Sequence, residues 1–346
     1  MMRAERVESG VVNSVERWLF NCPIWLLSAA VLTAATMLHG YQQSTAMPAV
    51  IKLVADPFTQ DTTTGAWGYQ SALGVWLPWA VGARTGEQIA LVHYLVTIVC
   101  VVVAAEAMRR WASELAARLF LFAYFCSPQS WAGTAYLGLF DIITVAGLTV
   151  AAVAPASVGL AAGLVLGVNH FEQAAFGMVG VALVRCVFRA GPWRPVIAAA
   201  SGLLVGRAIV HIYLVTSGID TNGRLDYIRD MGVRRIVDGW ADQLLTLEWA
   251  VYNVLWVGVV WMAATMHRQD RTRLVALHLF LTLPVLITVD LSRVYRTVTW
   301  PIIILLVLYA ADWHDKRLVR RAAIALCVAA VFVPRTEIWY GGQLLN

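Results

Sequence analysis

A small set of ionisable residues stands inside or beside long apolar runs of this 346-residue chain. Such groups are expensive at bilayer depth and by default mark function. Asp56 and Asp61 lie in the segment Leu53-Val54-Ala55-Asp56-Pro57-Phe58-Thr59-Gln60-Asp61, and Asp141 opens an apolar helix after Tyr136-Leu137-Gly138-Leu139-Phe140. His170 and Glu172 break an otherwise apolar run at Asn169-His170-Phe171-Glu172-Gln173; Arg207 and His211 share one helix face; Asp290, Arg293 and Arg296 stand at a helix end. Carboxylates together with fixed cations suit transfer of a group carried on a phosphate. A carboxylate deprotonates or orients an acceptor hydroxyl, while arginine forks onto phosphate oxygens and balances the charge that develops as they leave.

Each position also has a structural reading. Asp56 before proline initiates turns, Asp61 can cap the Thr62–Thr64 turn, and Asp141 complements a helix N-terminus. His170 and Glu172 can simply mark a turn between two short helices, and Asp290 can pair with Arg293 one turn on. Arg207 resists a bland account, because a mid-span arginine needs an anion or a buried partner.

The elements that must carry these groups are membrane helices. The chain is 60% hydrophobic with 14% charged residues, against about 25% charged in an ordinary globular domain. It is predicted to be all-α, one polytopic transmembrane bundle over residues 1–346 with about eleven spans. No internal repeat, low-complexity segment or soluble domain stands out, and the five isolated cysteines have neither metal-ligand spacing nor a disulfide framework. The net charge of +5 is spread over short loops, which bears on orientation rather than on nucleic acid. Trp18–Leu38 is long enough to anchor, with no small-residue cleavage pattern.

Arg3, Arg6 and Arg17 precede that first span and place the N-terminus in the cytoplasm. Residues 39–87 then form a large extracytoplasmic loop. Within it Thr45 and Pro48 start a helix whose Met47, Val50, Ile51 and Val54 share a face opposite Lys52, as in a helix lying in the membrane interface. Residues 69–82 are read as a second interfacial or re-entrant helix, because a span there would put Arg109 and Arg110 outside. From His93–Met108 inward the spans alternate as Ala116–Gln129, Leu137–Val153, Val158–Val168, Ala174–Val187, Val196–Thr216, Trp249–Met266, Val275–Val289, Val298–Ala311 and Ala322–Pro334. The 217–248 loop carries an amphipathic helix with Val233, Ile236, Val237, Trp240 and Leu244 on one face. On this topology most of the ionisable residues fall towards the outer side.

This layout resembles the C-type (GT-C) superfamily of glycosyltransferases, which have a cytoplasmic N-terminus, one span and then a large extracytoplasmic loop holding the catalytic acid and surface helices. The resemblance is strongest over residues 1–190 and rests on topology. It implies an integral-membrane glycosyltransferase of a bacterial inner membrane, moving a sugar from a polyprenyl-phosphate donor to a glycan, lipid or protein acceptor on the outer side. It further implies catalytic roles for Asp61 and Asp56 and contact of Arg207, His211, Arg293 and Arg296 with the donor phosphate. His170, Glu172, Asp141 and Asp290 then fall to the acceptor side. Some relatives use a divalent cation, to which Asp56, Asp61 and Glu172 could contribute. The chain departs from the family where an Asp-Glu usually follows the first span, since it reads His39-Gly40-Tyr41-Gln42-Gln43 there. Two other classes stay open: a secondary transporter or lipid flippase, and a non-catalytic scaffold of an envelope complex.

Overall fold

The computed structural model describes residues 14–44, 46–59, 71–135, 137–138, 140–189, 191–219, 244–283, 291–333, 337–338 and 344–345. Asp61, Asp290 and the amphipathic segment around Val233–Trp240 lie outside them. The described chain is helical apart from one two-residue strand pair, β1 (Glu337–Ile338) with β2 (Leu344–Leu345).

Helix α1 (Ser14–Asn21) meets α2 (Ile24–His39) at 114°. The loop that follows holds two nine-residue helices, α3 (Met47–Ala55) and α4 (Ala72–Ala80). At 1.5 Å per residue each is about 13 Å long, too short to cross a bilayer. That agrees with keeping residues 69–82 out of the span count. The predicted apolar face of α3 is present, with Met47, Val50 and Val54 buried and Lys52 exposed, but Leu53 joins it and Ile51 sits at its edge. Protein covers that face: it belongs to one buried apolar cluster with Val75, Ile89, Leu137, Val210 and Leu214, and α3 packs on α4 and α5. The helix caps one end of the bundle.

Helix α5 (Gly86–Trp111) starts at a capping box, with Thr85 Oγ1 accepting from the Gln88 N–H at 3.3 Å and Gln88 Oε1 accepting from the Thr85 N–H at 3.2 Å. Replacing Thr85 with Ala should lower stability by about 1 kcal/mol, read as a lower unfolding temperature in detergent; an unchanged midpoint would show that the cap does not set this helix start.

Then come α6 (Glu114–Cys126), α7 (Pro128–Ala135), α8 (Asp141–Val153), α9 (Ala156–Ala182, continued by a π-helical turn to Phe188) and α10 (Arg194–Thr216). The last third contains α11 (Leu244–Tyr252), α12 (Trp256–Thr265), α13 (Arg268–Thr282), α14 (Leu291–Val298), α15 (Trp300–Asp312) and α16 (Lys316–Phe332). Among the described helices four are long and apolar enough to cross a membrane when α9 is counted through to Phe188 as one, or five if α1 and α2 count as one broken span. Helices α8 and α15 are apolar but shorter.

Helix α9 is two runs. His170 has φ −154° and ψ 80°, outside the helical region. Before it the chain runs antiparallel to α8, since Leu166 packs at Gly147 and Asn169 bonds Thr144 and the Phe140 carbonyl. After it the sense reverses: Gly177 packs at Leu148, and Arg185 reaches the Ala151 carbonyl. The predicted division into outgoing and returning segments around residue 170 matches this reversal. The first run lies alongside α10 in parallel, with Gly159, Gly163 and Gly167 against Pro195, Ala199 and Leu203, and Gly202 and Gly206 against Leu160 and Leu164. Glycines on both helices let the backbones touch, the small-residue packing favoured where lipid gives no hydrophobic drive.

The charges sort by end. At one end Arg118 donates to the Leu19 and Cys22 carbonyls and to Glu114, Arg185 to Ala151, and Arg189 to Asp312, while Arg321 lies 3.9 Å from Glu16. Asp141 stands at the other end of α8, about 20 Å away along its 13 residues.

Candidate functional site

Asp141 is the first helical residue of α8 and the acidic residue of its first turn, where a carboxylate complements the helix N-terminus. It is 4% exposed and takes a forked ion pair from Arg293: Nε to Oδ2 at 2.6 Å and a terminal N–H to Oδ1 at 3.3 Å. Arg293 thus pairs across 152 residues of sequence, and its predicted pairing with Asp290 lies outside the described residues. Burying such a pair is compensated only by good geometry and further hydrogen bonds, and this one has the geometry. Arg296, 3% exposed, adds a second guanidinium within electrostatic range of Asp141 and lies 6.0 Å from the ring of Trp131.

Three elements hold Asp141 in place. His93, 1% exposed on α5, accepts from the Gly138 N–H at 2.6 Å through Nδ1, so its proton is on Nε2. Its ring stacks on Phe140 with centroids 4.6 Å apart. Gly138 has φ +118°, which favours glycine and turns its N–H to the imidazole. From the bend, Asn169 Nδ2 donates to the Phe140 carbonyl at 3.0 Å and Thr144 Oγ1 at 3.1 Å. His170 itself is buried within electrostatic range of Asp141. Two buried amide oxygens at this bend, Asn169 Oδ1 and Gln173 Oε1, have no hydrogen-bond donor among the described residues.

Arg207 sits beside the bend, its backbone against Gly167 and its guanidinium 5.5 Å from the Phe171 ring. It is half-buried, while His211 one turn on is exposed together with Ile209, Ile212 and Val215. The first loop reaches the same end, because Tyr213 of α10 donates to the Pro57 carbonyl and its ring packs edge-on against Phe58 and Trp76. Asp56 is the residue after α3, exposed, and its Oδ1 accepts from the Phe58 N–H at 3.3 Å, the turn-forming bond of its structural reading. Glu172 is half-buried on α9 next to the bend. So Asp56, Asp141, His170, Glu172, Arg207, Arg293 and Arg296 gather towards one end, while His211 faces away from the protein. No three His, Cys, Asp or Glu among the described residues are grouped to hold a metal ion.

Sequence reasoning missed roles for His93, Asn169 and Gln173, and also a network on α14 at Tyr295, between Arg293 and Arg296. There Glu248, His278 and Tyr295 converge from α11, α13 and α14. The signal was present: Glu248 and His278 interrupt the apolar runs Leu244–Tyr252 and Leu274–Leu281 just as Asp141 interrupts its own.

A half-enclosed space of another kind lies elsewhere. It is an apolar cleft of about 510 Å³ among α6, α12, α15 and α16, lined by residues such as Phe122, Leu255, Trp261, Leu306 and Leu326. Without a polar group it offers volume and no chemistry, and we place the site at Asp141 instead. Compared with family models, curated proteins and solved structures, the chain matches none.

Proposed function

We propose that the protein is an integral-membrane glycosyltransferase of about eleven spans, taking a sugar from a polyprenyl-phosphate donor at the Asp141 end of the bundle. The observation that carries this reading is the docking of the Asp56–Pro57 turn onto Tyr213 at the end that holds Arg207, Arg293, Arg296 and Asp141. Asp56 of the loop thereby stands at the end that carries these cations. Asp61 or Asp56 deprotonates the acceptor hydroxyl, and Arg207 and Arg296 hold the donor phosphate. Arg293 contributes through its pair with Asp141, and the open amide oxygens of Asn169 and Gln173 accept from sugar hydroxyls. The exposed aliphatic strip of α10 beside Arg207 offers the lipid tail a path. The arginine-rich end faces the cytoplasm of a bacterial inner membrane, by the positive-inside rule.

Purified wild-type protein should transfer sugar from a polyprenyl-phosphate hexose or pentose. Asp61→Asn and Asp56→Asn should each reduce that rate by at least about 100-fold, the scale of a lost general base, with the fold intact by thermal unfolding. Full activity in both variants would remove the carboxylate assignment.

One observation favours a second reading, a secondary transporter. A helix broken at His170 beside a buried Asp141–Arg293 pair is the kind of discontinuous element around which transporters build their sites. Substrate counterflow in proteoliposomes, without any transfer of sugar, would decide for it.

A further inference from the structure

The apolar cleft among α6, α12, α15 and α16 is used by neither reading. It arises from the packing around it. Helix α12 lies along α15, with Gly258 at Leu306 and Trp261 against Tyr309. Helix α16 packs on α6 and on the Asn253–Leu255 turn at the head of α12. A wedge is thereby left between α12 and α16, floored by Phe122 and Leu306, with Leu255 at its head. Its α16 wall runs from Leu318 to Ala329, about 16 Å at 1.5 Å per residue. That is the depth of one leaflet, since a whole hydrocarbon core is about 30 Å thick. The volume of about 510 Å³ is that of a ligand pocket. Water finds no polar partners on such walls, so the occupant is apolar.

The rim is different. It lies at the arginine-rich end, where Asp312 of α15 meets Arg189. There Trp261, Tyr309 and Trp313 pack ring against ring, with centroids 5.5 Å apart for Trp261–Tyr309, 5.0 Å for Trp261–Trp313 and 5.8 Å for Tyr309–Trp313. Amphipathic rings of this kind sit where hydrocarbon meets headgroups. Two exposed cations flank them. Arg271 of α13 donates to the Ala264 and Met266 carbonyls at 3.1 and 3.4 Å, one turn beyond Trp261. Lys316 of α16 donates to the Ala311 carbonyl, beside Ala310 of the cleft wall. The acids nearest them in sequence are occupied: Asp270 by Arg273, Asp312 by Arg189, and Asp315 by the Leu318 N–H.

We propose that this cleft binds an anionic phospholipid of the surrounding bilayer, one acyl chain lying between α12 and α16 and the phosphate at Arg271 and Lys316. An apolar slot one leaflet deep fits the chain, and the cations at its rim fit the charge. The inference goes beyond the glycosyltransferase reading. Its site lies at the opposite end from Asp141, and its test needs no activity.

Native mass spectrometry of the full chain, released from detergent with dioleoyl-phosphatidylglycerol or dioleoyl-phosphatidylcholine added, counts the lipid bound. Wild type should retain one phosphatidylglycerol. A surface cation favours an anionic lipid about fivefold, so two should favour it over phosphatidylcholine by about 25-fold. Lys316→Gln/Arg271→Gln should bring the two lipids to equal affinity. Each methylene kept out of the cleft loosens binding about fourfold. Ala322→Phe, at an exposed position of the wall, should therefore weaken both lipids by more than about tenfold. If Ala322→Phe does not fold, the charge variant still decides, because its readout compares two lipids on one protein. Equal affinity for both lipids in wild type, or a preference that Lys316→Gln/Arg271→Gln leaves unmoved, overturns the proposal. So does binding that a folded Ala322→Phe protein retains, or oleate bound as tightly as phosphatidylglycerol, which would assign the cleft to a free fatty acid.

Discussion

Asp141→Ala should be among the most destabilising single substitutions in this protein, at about 3–5 kcal/mol. The reason is what remains behind. Arg293, whose side chain is 14% exposed, would lose the carboxylate it forks onto, the same one that lies within electrostatic range of Arg296. Arginine cannot escape by losing its proton. Asp141→Asn keeps the volume and one acceptor, so it should cost less than Ala while still losing the charge. The double variant Asp141→Leu/Arg293→Met removes both charges and should recover much of the loss, because a buried ion pair adds little over apolar groups of similar size. Thermal unfolding in one detergent measures all three. If the double variant is as unstable as Asp141→Ala, or if Asp141→Ala is neutral, the pair is not what holds α8 to α14. Activity sharpens the point: a stable double variant without sugar transfer would assign the pair to the site rather than to the fold.

Gly163→Val is the second substitution with a large expected effect. A Cβ at position 163 would fall inside the van der Waals shell of the Ala199 carbonyl oxygen, and its other nearest neighbours are also backbone atoms of Ala199. Backbone cannot turn aside as a side chain does, so α9 and α10 must separate. Overpacking typically costs 1–3 kcal/mol, and a backbone clash flanked by similarly tight glycines at 167, 202 and 206 should exceed about 3 kcal/mol. Separation would also carry Arg207 away from Phe171, since Gly167 packs on the Arg207 backbone. Gly218→Ala is a useful contrast. It has φ +66° with open space around it, so only local strain is expected there, of order 1 kcal/mol. A Gly163→Val protein that purifies with wild-type stability would mean that the two helices are not in backbone contact.

Much of the architecture was legible in local pattern. Hydrophobic runs marked the helices, and arginines at their ends sorted the termini into two sides, as the Arg118–Arg189 end and the Asp141 end show. The apolar stripe of α3 was readable because a helical face repeats within a few residues. The break near His170 was readable too, as polar residues interrupting an apolar run. Its sharpness was not, because one non-helical residue leaves no periodicity.

Composition and periodicity by themselves determined a helical chain with helices apolar enough to cross a membrane, its basic end, and which charges need explaining, since the cost of burying a charge depends on its immediate surroundings. Only the folded arrangement decided partners. Nothing local to Arg293 points to an aspartate 152 residues away, and helix packing in lipid is selected by surface shape, which a one-dimensional pattern does not encode. The same limit hid the meeting of Glu248 with His278, two residues legible singly whose contact exists only where α11, α13 and α14 close on one another.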